Sequence, residues 1–90
     1  MRCAVICQDK PGALPVRQEN RAAHLDYIKA TGVVEQAGPF LDPAGQMCGS
    51  MLILDVASLQ AAQDWAAHDP YAKAGLFAAV QVIEWKKVIG

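Results

Sequence analysis

A chain of 90 residues has room for one domain, taken as 1–90, with a modest core; its 53% apolar and 19% charged fractions depart from the soluble average toward burial. Some apolar surface is therefore expected to be covered by another subunit, most simply in a homodimer or a higher homo-oligomer. A net charge of -1, spread along the chain, excludes the footprint of a nucleic-acid or anionic-membrane binder, and no apolar run approaches the roughly 20 residues that span a bilayer.

Three cysteines, Cys3, Cys7 and Cys48, make an odd set without zinc-like pairs. Together with an N-terminus that lacks a signal-peptide h-region, they point to a reducing, cytoplasmic setting.

Arg2 to Gln8 is a short β-branched run closed by Asp9-Lys10-Pro11-Gly12, which reads as a first strand and a turn. Apolar or small residues on both of its faces predict burial on two sides. Cys3 and Cys7 share a face but stand about 13 Å apart at strand rise, too far for a common metal or a disulfide.

Pro15 suits a helix's first turn, and the chain then runs without proline or glycine to Ala30, before Thr31-Gly32 supplies the stop. Val16, Ala23, Tyr27 and Ala30 give this helix one apolar row, with Leu14, Leu25 and Ile28 beside it. Residues three and four apart share a helix face, so Arg17, Arg21 and His24 form one polar row that continues into Ile28.

Val33 to Leu41 reads as a second strand, with Pro39 confining it to a sheet edge or a bulge. Asp42-Pro43-Ala44-Gly45 turns it into a third strand, Cys48 to Val56, apolar on both faces. Ser58 caps a helix from Leu59 to Ala67 that breaks at His68-Asp69-Pro70-Tyr71, with a further short turn before Gly75. A last strand is predicted from Phe77 to Val88.

The order strand, helix, strand, strand, helix, strand predicts an α+β, ferredoxin-like βαββαβ fold: a four-stranded antiparallel sheet with two helices on one face. The uncovered face, apolar on strands one and three, predicts a second copy of the sheet against it, as in dimeric α+β barrels.

The chemistry centres on His24. A carboxylate bonded to its Nδ1 would fix the tautomer and leave Nε2 as a general base. Asp69 fits, since helix two ends where helix one begins; Asp9, at the end of strand one, fits as well, and spacing does not choose between them. Arg17 or Arg21 beside such a base could hold a carboxylate or a developing oxyanion. Against these stand ordinary roles: turn chemistry for Asp69, and an ion pair with Glu19, Asp9 or Asp69 for the arginines. Ser50 lacks the setting of a nucleophile and reads as packing or a hydrogen bond to a ligand. His68 reads as solvent-exposed, and Trp65 and Trp85 as core or interface. No histidine, cysteine or carboxylate spacing makes a metal set, and Gly38, Gly45 and Gly49 do not make a phosphate loop.

Cys7-Gln8-Asp9, the row from Arg17 through Arg21 to His24-Leu25, Ala37-Gly38-Pro39, Gly49-Ser50, Ala62 and Trp65, Asp69-Pro70-Tyr71 with Ala74-Gly75, and the terminal Trp85-Lys86-Lys87-Val88 together resemble the YciI-like (YCII-related) family. The Phe40 to Met47 connection is shorter than in many members. The resemblance implies a ferredoxin-like fold, a dimer and an active site with a histidine-aspartate pair, which match His24 and Asp69; the helix arginines match Arg17 and Arg21. Some members resemble lyases that eliminate halide from hydroxylated aromatic rings.

The combined expectation is a small dimeric enzyme, an isomerase or lyase working without a cofactor, with His24 and Asp69 catalytic. Arg21, Arg17, Ser50, Tyr71 and Asp9 are its candidates for binding a small anionic or phenolic substrate. The alternative is a non-catalytic domain that holds a small metabolite.

Overall fold

Local chemistry sets most element ends in the computed structural model, which describes residues 1–90. The first strand, β1 (Arg2–Asp9), leads into helix α1 (Leu14–Thr31), which Gly32 closes in the left-handed conformation at φ 66°, its N–H returning to the Ile28 carbonyl. A hairpin follows, β2 (Val34–Leu41) and β3 (Met47–Asp55). Helix α2 (Leu59–His68) starts at Ser58, whose hydroxyl accepts the Ala61 N–H at 3.1 Å. Pro70 then forces Asp69 out of helical geometry, to ψ 130°, before the single turn α3 (Pro70–Lys73) and the last strand β4 (Phe77–Glu84).

The four strands form one antiparallel sheet in the order β2-β3-β1-β4, the ferredoxin-like arrangement that the element order predicts. β2 is the edge strand that Pro39 requires. No helix is long and apolar enough to cross a membrane.

The core lies between the sheet and α2. Cys3, Val5 and Cys7 of β1 and Leu52 and Leu54 of β3 meet Ala62, Trp65 and Ala66 there. Two alanines a helical turn apart let α2 sit close on β1 and β4, while Trp65 spends its indole N–H on the Thr31 hydroxyl at 2.9 Å. Trp85, by contrast, is exposed.

Within one chain the far face of β1 is half covered, with Arg2, Ala4 and Ile6 intermediate, on the side where a second copy of the sheet is expected. The extent of the last strand needs correction. β4 ends at Glu84 and not at Val88: its last contact with β1 is the Trp85 N–H to the carbonyl of Arg2, the first residue of that strand, at 2.9 Å. On α1, Tyr27 and Ile28 pack against the core and are partly buried. Ala23, Leu25 and Ala30 are exposed, and the fully buried residues of α1 are Arg17 and His24.

Gly49 is the glycine with the least room around it. A Cβ there would run into the Cys7 carbonyl and lie 3.2 Å from the Phe40 ring, whereas at Gly38 it would meet open space. Gly49→Ala should therefore lose about 1–3 kcal/mol in urea unfolding, as overpacked sites do, while Gly38→Ala stays within about 0.5 kcal/mol of wild type. Equal midpoints for the two variants would refute this account of Gly49.

Candidate active site

The sharp turn at Asp69-Pro70 does two things with one oxygen. Asp69 Oδ1 accepts the Tyr71 N–H at 2.9 Å, which caps α3, and lies 2.8 Å from His24 Nδ1 on α1. Turn chemistry and histidine pairing, alternatives in the sequence, thus coexist in this carboxylate. Both residues are buried, His24 at 7% exposure and Asp69 at 2%. A carboxylate acceptor requires the proton on Nδ1 in the neutral ring, so Nε2 carries the lone pair. No group of the chain hydrogen-bonds to Nε2.

Asp9 has another partner. Its carboxylate takes two parallel hydrogen bonds from Arg17, at 2.7 and 2.8 Å, and the same guanidinium donates to Ser50 Oγ at 2.9 Å. Ser50 faces the helices because β3 alternates, with Ser50, Leu52 and Leu54 pairing with Cys7, Val5 and Cys3 on the core side. Arg17 is only 2% exposed, and burial opposes its charge while Asp9 more than compensates. Losing either member of such a pair strands a buried charge, at a cost of roughly 3–5 kcal/mol.

Tyr71 joins the two polar groups. Its ring stacks on His24, with centroids 3.9 Å apart and planes at 16°, and Arg17 Cζ lies 4.7 Å from its centroid. The edge of Phe77 closes a third side at 6.1 Å and 84°. Burial raises the Tyr71 phenol above its ordinary range even though the Arg17 and Arg21 charges pull it down, so the phenol is protonated at neutral pH.

Between α1 and the β2-β3 side of the sheet these residues border a cavity of about 110 Å³. Arg17, Arg21, His24, Ser50 and Tyr71 form its polar side, and Leu25, Ile28, Pro39, Met47 and Leu52 contribute the apolar side. The row Arg17, Arg21, His24, Ile28, read from helical spacing, faces it as one strip. Arg21 is exposed and in no ion pair, which makes it the cation still available to a ligand anion. Asp9 does not line the cavity. His68 points away, its Nδ1 bonded to the Asp64 carbonyl at 2.7 Å.

The residue pattern carries no sign of the Tyr71 stack or of the apolar wall, and it offers Asp9 as a partner for His24 or the arginines and as a substrate contact without choosing among these roles. The alternation of Ser50 with Leu52 and Leu54 was the available signal for the position of Ser50.

A ferredoxin-like sheet whose helix layer encloses a small cavity beside a buried His-Asp pair defines the class. The model of the YCII-related domain matches residues 1–86, and the chain belongs to that family. It is 37% identical over 99 residues to an uncharacterized protein of Haemophilus influenzae, covering 98% of this chain and 99% of that one. Identity to Protein YciI of Escherichia coli is 38% over 97 residues, at 98% and 99% coverage.

Among solved structures it resembles 5-chloro-2-hydroxyhydroquinone dehydrochlorinase (TftG) of Burkholderia phenoliruptrix AC1100, in complex with 2,5-dihydroxybenzoquinone. That likeness has TM-score 0.86 and 37% identity, covering 96% of this chain and 94% of that one. An antibiotic biosynthesis monooxygenase, 11% identical with TM-score 0.60 over 98% of both chains, shares the fold.

Cys7 lies against this site without taking part in it. Burial, reinforced by the nearby Asp69 charge, pushes its thiol up to about 12, so it carries no thiolate at neutral pH. Cys3 is buried as well, and Cys48 is exposed. Titration with an aromatic disulfide at pH 8 should find one reactive thiol per native chain and three in denaturant; rapid reaction of a second native thiol would contradict this burial.

Proposed function

We propose that this protein is a small enzyme that abstracts a proton from a small anionic or phenolic substrate without a cofactor, with His24 as general base. The observation that carries this reading is the buried hydrogen bond of 2.8 Å between His24 Nδ1 and Asp69, at the edge of a cavity on which the other ring nitrogen can act. The TftG likeness supports the substrate class: that protein is a dehydrochlorinase caught with a dihydroxybenzoquinone. A closed cavity that holds a benzene ring is on the order of 150 Å³, so a substituted ring fills this smaller one and extends past its open rim. Here about 110 Å³ is bordered by exposed Arg21 and Leu25.

In this mechanism His24 Nε2 takes a proton from the substrate, and the electron pair of the broken bond moves into the ring system. In an isomerisation the proton returns at another atom. In an elimination the pair expels halide, and the substrate loses the elements of HX, with the proton passing from His24 to water. Asp69 holds the imidazole in the reactive tautomer and balances the imidazolium. Arg21 attracts the substrate anion, while Arg17, bound by Asp9, holds Ser50 and Tyr71 at the cavity wall.

His24→Ala and Asp69→Asn test the base. With 5-chloro-2-hydroxyhydroquinone as probe and chloride release as readout, each should lower kcat by about 10²-fold or more, in the range of general-base catalysis, with circular dichroism unchanged. Undiminished turnover in His24→Ala would refute the reading.

We also propose that the protein is a cytoplasmic homodimer that closes the sheet's open face. Phe40, Met51 and Ile83 stand 39–45% exposed on that face, with Ile6 between them. A row of this kind suits a second copy of the same sheet. The three free cysteines suit a reducing compartment. Sedimentation equilibrium should give twice the chain mass for the wild type and the single-chain mass for Met51→Glu with Ile83→Glu; a monomeric wild type at micromolar concentration would defeat the dimer.

A further inference from the structure

We propose that Tyr71 is a second catalytic residue, its hydroxyl donating a hydrogen bond to the substrate oxygen on which negative charge collects as His24 removes the proton. This rests on the general-base reading above and adds what a base alone lacks, since abstraction beside a carbonyl or phenol is slow unless the resulting oxyanion is stabilised.

Several observations place the donor. Tyr71 is 2% exposed overall, yet it lines the cavity beside His24. The hydroxyl oxygen has Arg17 as its neighbouring donor, but no group of the chain accepts the phenolic proton, which leaves it for a ligand in the cavity that Tyr71 lines. Arg17, the cation against the ring, can only donate and leaves that proton free. The near-parallel stack holds base and donor on adjacent plates, 3.9 Å between centroids, and both residues border the same cavity.

The ring is also fixed in advance. His24 stacks on it, Arg17 stands over it, Phe77 abuts it edge-on, and its backbone N–H is tied to Asp69. A donor that need not reorganise as charge develops is the kind that accelerates a reaction. The nearby Arg17 and Arg21 charges strengthen the donor without removing its proton, because burial keeps the phenol above its usual range.

Ser50 is the competing donor. Its oxygen accepts from Arg17, and it stands on β3, whereas the stack ties Tyr71 directly to the base.

The test compares Tyr71→Phe, Ser50→Ala and His24→Ala with wild type, by chloride release from 5-chloro-2-hydroxyhydroquinone and by absorbance titration with 2,5-dihydroxybenzoquinone. Phenylalanine keeps the stack and deletes only the O–H, so Tyr71→Phe should stay folded. It should lose about 10²-fold in kcat, the usual effect of deleting one oxyanion donor, and bind the quinone anion about tenfold more weakly.

Wild-type values in Tyr71→Phe with an inactive His24→Ala would overturn the Tyr71 assignment alone. A larger loss in Ser50→Ala than in Tyr71→Phe would overturn it in favour of the serine. Full activity in His24→Ala would overturn the base on which it rests. A wild type that neither binds the quinone nor releases chloride would overturn both.

Discussion

One oxygen, Oδ1 of Asp69, governs the arrangement of this site. It caps α3 through the Tyr71 N–H and holds His24 on a helix 45 residues earlier in the chain. Because the carboxylate is buried and accepts from both, the position of the Tyr71 backbone and the orientation of the imidazole are set together. The stack of the two rings follows from that shared anchor. A single Asp-Pro step thereby links the second crossover of the fold to the first.

The Asp9-Arg17-Ser50 cluster is the counterpart at the other end of the same face of α1. A buried ion pair is a weak source of stability but a strong source of position, since neither charge can move without stranding the other. With α1 held by Arg17 and His24, both polar, the helix does not collapse onto the β2-β3 half of the sheet as α2 does onto β1 and β4. The space left beneath it is the cavity. Close packing and open space are thus divided across one sheet: Ala62, Trp65 and Ala66 close one half, and a polar strip borders the cavity in the other.

The chain belongs to the YCII-related family, and the likeness to TftG extends over almost the whole chain. The likeness to the antibiotic biosynthesis monooxygenase concerns the backbone alone. The side chains on the polar side of the cavity stand on α1, α3 and β3, which the sheet brings to one place without dictating what they are.

The sequence by itself determined the element order, the antiparallel sheet and most helix limits, because these follow from local rules: strand alternation, the Asp-Pro break, the Ser58 cap and the Gly32 stop. Helical spacing also put Arg17, Arg21, His24 and Ile28 on one strip. Only the tertiary structure decided between Asp9 and Asp69 as the partner of His24, since both are equally plausible by spacing and the choice depends on where Arg17 reaches. It also decided that α1 buries its polar residues, that Tyr71 stacks on the imidazole and that β4 stops at Glu84. Each of those outcomes depends on contacts between residues far apart in the chain, or on where a neighbouring strand begins, and no local pattern encodes either.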